Sequence, residues 1–241
     1  MIPVFLKEIR SFFSSLIAYI VIIVFLLITG LLLWVVRDNT LDAGYSNLDI
    51  LFLISPWVLI FLISAITMRS FSEEKKAGTL EILITKPLTD FQIILGKYMA
   101  GLLLVALALL PTLIYFYTIY KLGDPVGNID TGATWGSYFG LLWLGSIYVS
   151  IGIFSSSLTD NQIVSFILSM VLCAAMYILF ELISGISLFH GIDYYVQWLG
   201  IQAHYQSISR GVLDSRDLVY FISVTLFFLW LTKTRLESRK W

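Results

Sequence analysis

Six stretches of about twenty mainly apolar residues divide this chain of 241 residues: 16–36, 50–68, 93–119, 135–157, 162–183 and 217–233. A helix rises about 1.5 Å per residue, so roughly twenty residues cross the ~30 Å hydrocarbon core of a bilayer. Hydrocarbon offers backbone N–H and C=O groups no partner, so spans of this length must be helices that satisfy themselves internally. Composition agrees. Hydrophobic residues make up 59% of the chain and charged ones 13%, against about 25% charged in a soluble domain. The charges are too few to cover a water-facing surface. The expected fold is an all-α integral membrane protein with six transmembrane helices.

Lysine and arginine placement orients it. Counted with the N-terminus inside, one side holds Lys7, Arg10, Arg69, Lys75, Lys76, Lys86, Lys97, Lys233, Arg235, Arg239 and Lys240. The other side holds only Arg37, Lys121, Arg210 and Arg216. Both termini, the 69–97 loop and the basic tail 234–241 are therefore expected in the cytoplasm. Residues 2–15 place Phe5, Ile9, Phe12 and Leu16 on one helical face and Lys7, Arg10, Ser11 and Ser14 on another, the pattern of an interfacial helix feeding the first span. The first apolar run is too long for a signal-peptide core and lacks a small-residue cleavage site, so it reads as a retained helix. The fourth and fifth spans are joined only by Leu158–Asn161, which demands a tight hairpin, and Pro111 should kink the third. Segment 185–215 is apolar but broken by Gly185, Gly191 and Gly200 and carries His190, Asp193, Gln197, Gln202 and His204. It reads as short interfacial or re-entrant helices on the outer face.

Reactive constellations are scarce. The one cysteine, Cys173, sits in an apolar run and reads as a small buried hydrophobe. His190 and His204 lie fourteen residues apart with only Asp193 near, too sparse a set for a metal. Gly96-Lys97 lacks the glycine spacing of a phosphate loop. An intramembrane protease or lipid transferase would need paired His, Glu or Asp within the spans, and a proton-coupled carrier a mid-span charge. None of the six runs has one near its centre, and Glu181 reads as a helix-end charge. The chain reads as a non-enzyme whose energy arrives from elsewhere.

The most informative loop runs from Arg69 to Gln92. Ser70 with Glu73, and Thr89 with Gln92, have capping-box spacing, and Pro87 stops a helix near Thr85. Between them the spacing predicts one helix over 72–86. Ala77, Leu80 and Ile84 share its inner face, and Glu74, Gly78, Glu81 and Thr85 its cytoplasmic face. Gly78 costs about 1 kcal/mol relative to alanine inside a helix and bares the backbone for a close approach.

The run Phe71-Ser-Glu-Glu-Lys-Lys-Ala-Gly78-Thr79-Leu80-Glu81-Ile-Leu83, with Pro87 and Gly96-Lys97-Tyr98, resembles type-2 ABC transporter permeases, the ABC-2 membrane subunits. His204-Tyr-Gln-Ser-Ile-Ser-Arg210-Gly211-Val-Leu-Asp214 is similar to an outer-segment element of the same family. Lys7-Glu-Ile-Arg-Ser-Phe-Phe13 and Asn128-Ile-Asp130 look like its gliding-motility branch. The resemblance implies a permease subunit whose 72–86 coupling helix docks on a separate cytoplasmic ABC ATPase, present in two copies. Glu73, Glu74, Lys76, Gly78, Thr79, Glu81, Lys86 and Pro87 would touch it, with Asp160 in a second, smaller contact. It also implies MgATP on that partner and no cofactor or metal here, a second permease identical or related, surrounding lipid, no nucleic acid, and a bacterial inner-membrane location. Export linked to gliding or the cell envelope is the expected activity. The alternative is a force-transmitting scaffold that moves no solute.

Overall fold

The computed structural model describes residues 1–36, 39–80, 88–185, 196–211 and 214–238. They form helices α1 (Ile2–Phe13), α2 (Leu16–Trp34), α3 (Thr40–Ala43), α4 (Asp49–Thr67), α5 (Ser72–Lys76), α6 (Asp90–Leu109), α7 (Leu113–Leu122), α8 (Thr131–Leu158), α9 (Gln162–Ser184), α10 (Ile201–Ser209) and α11 (Ser215–Glu237). No strand occurs among the described residues. Six helical stretches are long and apolar enough to span a membrane: α2, α4 with its extension into α5, α6–α7, α8, α9 and α11. The protein is an all-α membrane protein.

Polar caps mark where several spans begin. Ser15 accepts from the Ile17 amide, Asp130 from Ala133, Asn161 from Ile163 and Asp214 from Arg216, at 2.9–3.3 Å. Thr89 and Gln92 close the expected capping box reciprocally, at 3.3 Å each way. Each cap satisfies amides that a helix cannot serve itself, at the depth where water thins out. The α8–α9 hairpin turns through Thr159–Asn161, as the short spacing requires.

Two prolines test the spans. Pro111 converts one turn to a 3₁₀ helix at Leu110–Thr112 between α6 and α7. Pro56 lies inside α4 and cannot donate to the carbonyl four residues back, that of Phe52. The Tyr205 hydroxyl of α10 supplies the missing donor at 2.8 Å.

The most buried span is α8, which packs against α4, α6, α9, α10 and α11. Its buried hydroxyls turn back onto their own helix: Ser146, Ser150, Ser155 and Ser157 donate to carbonyls three or four residues earlier. Small residues let its neighbours approach closely, as membrane helices need when lipid is as apolar as leucine. At Gly152 an added Cβ would lie 2.0 Å from Thr67 Oγ1 of α4.

The structure departs from expectation at both interfacial pieces. In α1 the deepest residues are Val4 and Glu8, while Phe5, Ile9 and Phe12 are half-buried. The inner face, which packs on α6, thus includes a carboxylate. The expected continuous helix 72–86 is also broken. α5 ends at Lys76, Ala77 caps it, and Gly78 takes φ +67° before helical geometry resumes at Thr79. Gly78 is a left-handed stop, the common use of glycine at a helix end, and does not sit mid-helix. Nor does Ser70 cap this helix: its N-cap is Phe71, which has no side-chain hydrogen bond. Residues 81–87 lie outside the described set, and so do His190 and Asp193. The described part of the outer segment holds α10, which lies across the ends of the spans.

Candidate functional site

Where α4 leaves the bundle, its chain end is held by α8. Ser156 Oγ accepts from the amides of Phe71 (2.9 Å) and Ser72 (3.0 Å) and donates to the Met68 carbonyl at 3.0 Å. One hydroxyl therefore serves both amides that open α5 and a carbonyl that closes α4. Lys75 Nζ donates to the Ser157 carbonyl, in the last turn of α8, where carbonyls lack helical partners and the helix dipole favours a cation. The segment is thus fixed beside the Thr159–Asn161 turn.

Its other flank is held by charge. Lys97, on α6 and 3% exposed, donates to Glu8 (2.7 Å) and to the Ser70 carbonyl (2.6 Å) and lies 3.0 Å from Glu74. The first two are hydrogen bonds and the third is an ion pair, so the ammonium is enclosed by acceptors. The Lys97 ammonium also sits 4.8 Å over the Phe71 ring. Lys7 donates to Glu74 as well. Burial alone would lower the Lys7 pKa, but the hydrogen bond and charge of Glu74, helped by Glu8, outweigh it and raise the value above the ordinary one. Arg69 pairs with Glu73 (2.9 Å) and reaches Ser15 at the α1–α2 corner (2.8 Å).

A helix from each of three regions, α1, α5 and α6, therefore meets at one charged knot. Sequence reasoning placed Lys97 in a cytoplasmic loop and Glu74 on the cytoplasmic face of a helix. The structure puts both inside. Glu74 is 7% exposed, because α5 rotates that carboxylate toward Lys97. Glu8 was not weighed as a site residue at all, and its spacing from Val4 on the inner face was the available signal.

What remains on the surface is a small projection. Glu73, Lys76, Ala77, Gly78 and Thr79 are exposed, and Leu80 turns back into the core. Nothing lies within 4 Å of the position a Gly78 Cβ would take. Asp160 is exposed on the neighbouring turn. Glu81, Lys86 and Pro87 lie outside the described residues. The arrangement brings Glu73, Lys76, Gly78 and Thr79 together on one exposed edge. Its side chains carry both charge signs and a hydroxyl.

The outer-segment residues sit at the opposite end of the bundle. His204 is 4% exposed and lies between acceptors, with Nδ1 2.6 Å from Asp217 and Nε2 2.8 Å from the Trp198 carbonyl. Its ring stacks on Tyr220 at 3.9 Å. It pins α10 to α11 and is no exposed interfacial histidine. Gly211 takes φ +82° just past α10, Asp214 caps α11, and Arg210 is exposed. Asp217, which completes the histidine's contacts, was missed because it reads as an ordinary first-turn acid.

No curated protein matches this chain. One family model, described as ABC-2 family transporter protein, matches residues 2–233. That match spans nearly the whole sequence and all six spans, and the family is that of the membrane permease subunit of an ABC transporter, which works with an ABC ATPase subunit. The chain belongs to the ABC-2 transporter family.

Proposed function

We propose that the exposed edge of Glu73, Lys76, Gly78 and Thr79, with Asp160 beside it, is where the ATPase subunit docks, on the cytoplasmic side of a bacterial inner membrane. Glu74, first expected at that contact, belongs instead to the charged knot behind it. The observation that carries the reading is the contrast between a bare tip and clamped flanks. Ser156 and Lys75 hold the segment to α8, and Glu74 holds it to α1 and α6. A push on the tip from closing ATPases would move these helices as one body, because packed elements shift as units. ATP, with its magnesium, would act on two partner ATPase copies.

A second permease, identical or related, completes the pathway. Support comes from α2 and α9, the two least buried spans, which both pack on α4 and leave apolar surface uncovered. The cargo is exported, and the loop resemblance around Asn128–Asp130 favours a gliding or cell-envelope role. Gly78→Trp tests the docking. The space is open but the backbone is left-handed, so Gly78→Ala, which carries the same strain without the bulk, is the control: both variants should insert alike, and only Gly78→Trp should fail to co-purify with the ATPase. Unchanged co-purification overturns the proposal.

A further inference from the structure

At the end of the bundle opposite the docking edge, the starts of α4 and α8, the end of α9 and one face of α10 enclose a hollow of about 290 Å³. Asp49 and Arg210 both line it, and they form no ion pair with each other. Among the described residues the Asp49 carboxylate accepts from the Asn47 side chain alone, at 2.8 Å. The Arg210 guanidinium has no hydrogen-bond or ionic partner among the described residues. Tyr177, 5% exposed, also lines the hollow, and its hydroxyl has no hydrogen-bond partner among them either. The hydroxyl oxygen itself stays accessible, so a ligand entering the hollow can reach it. A guanidinium without a partner, a carboxylate with one neutral donor and a free hydroxyl thus line one space.

We propose that this hollow binds the headgroup of a zwitterionic phospholipid carrying a primary amine. The phosphate would sit on Arg210, whose planar fork matches it, and the ammonium on Asp49. The Tyr177 hydroxyl would donate to a phosphate or ester oxygen. A ligand of one sign is disfavoured, because each charged wall repels what the other attracts. A ligand bearing both signs satisfies both.

The rim identifies the source of that headgroup as a lipid. Leu53 (73% exposed) and Trp57 (48% exposed) lie one and two turns below Asp49 on α4, facing away from the bundle. Trp57 meets Tyr177 edge-on at 5.5 Å, and the Phe61–Phe166 ring pair continues the apolar wall deeper between α4 and α9. A soluble zwitterion would leave that wall unused, whereas acyl chains would lie along it.

The test uses the purified chain in detergent, with bound lipid counted by native mass spectrometry. Phosphatidylethanolamine should be retained about fivefold more tightly than phosphatidylglycerol, whose head lacks the amine. Asp49→Asn should bring the two to parity without weakening phosphatidylglycerol. Arg210→Gln should weaken both about tenfold. Tyr177→Phe, which removes one atom, should weaken phosphatidylethanolamine about threefold. Equal retention of the two lipids by the unaltered protein overturns the proposal, and so does a preference that survives Asp49→Asn. Displacement by soluble glycerophosphoethanolamine at the same concentration would overturn the lipid assignment.

Discussion

Lys97 is the eighth residue of a membrane helix and is almost fully buried, yet it is held by two hydrogen bonds and an ion pair to Glu74. Removing it would leave Glu8 and Glu74 facing one another with only Lys7, itself half exposed, to balance them. Breaking a buried charge network by deleting one partner costs about 3–5 kcal/mol. Lys97→Met should therefore lower the thermal unfolding midpoint in detergent well below that of Lys7→Met, whose ammonium is screened by water. Equal midpoints would show that the knot stabilises nothing. The raised pKa of Lys7 has a simple consequence for pH. Its contribution is fully present below the ordinary lysine value and disappears only as pH climbs through the higher folded value, so the pairing is constant across neutral pH. A neutral counterpart exists at Pro56. Tyr205→Phe would orphan the Phe52 carbonyl at a cost of about 1–3 kcal/mol, whereas Tyr120→Phe, on the exposed end of α7, should cost almost nothing. Unfolding midpoints of the two variants check this directly.

At the scale of elements, Gly152 has the least room for a side chain of the described glycines, where α8 meets α4. A methyl there would meet Thr67 Oγ1 at 2.0 Å and its Cβ at 2.7 Å. At Gly101 of α6 the nearest atom is a Val149 methyl at 2.8 Å, which can move by a rotamer change. Gly152→Ala should therefore destabilise more than Gly101→Ala, and adding Thr67→Ala should recover part of the loss. A double-mutant cycle in detergent with no coupling between positions 67 and 152 would refute the contact. The spans themselves were legible, because an apolar run of bilayer length has few other fates, and the Thr89–Gln92 box and the Thr159–Asn161 turn followed from spacing alone. The region around α5 was legible only in part. Ser70 and Glu73 had the right spacing for a cap, but Glu73 is drawn to Arg69 and the amides are served by Ser156 from across the bundle. Gly78 looked like a weak point within a helix, since a sequence does not display a positive φ. Glu8, Glu74 and Lys97 are far apart in the chain, and each alone passes for a surface charge. Only the packing of α1 on α6, with α5 held beside them against α8, turns them into one site.

The molecule as a whole has two unlike ends, and their sidedness rests on charge. The exposed 73–79 edge, the hairpin turn, α1 and the C-terminal end of α11 share one end. The α7–α8 connection, α10 and the hollow above α4 share the other. Lysine and arginine concentrate at the first end, so the positive-inside rule predicts that end on the cytoplasmic side. Cys173 is fully buried and should stay silent toward water-soluble thiol reagents, so single added cysteines can report the topology without removing it. Val126→Cys, at an exposed position (64%) in the α7–α8 connection, should react with a membrane-impermeant maleimide in intact spheroplasts. Lys76→Cys, on the docking edge, should react only after the membrane is opened. The opposite pattern would place that edge outside the cell, beyond the reach of any ATP-fed subunit. The docking proposal would then fail, while the fold and the family would stand.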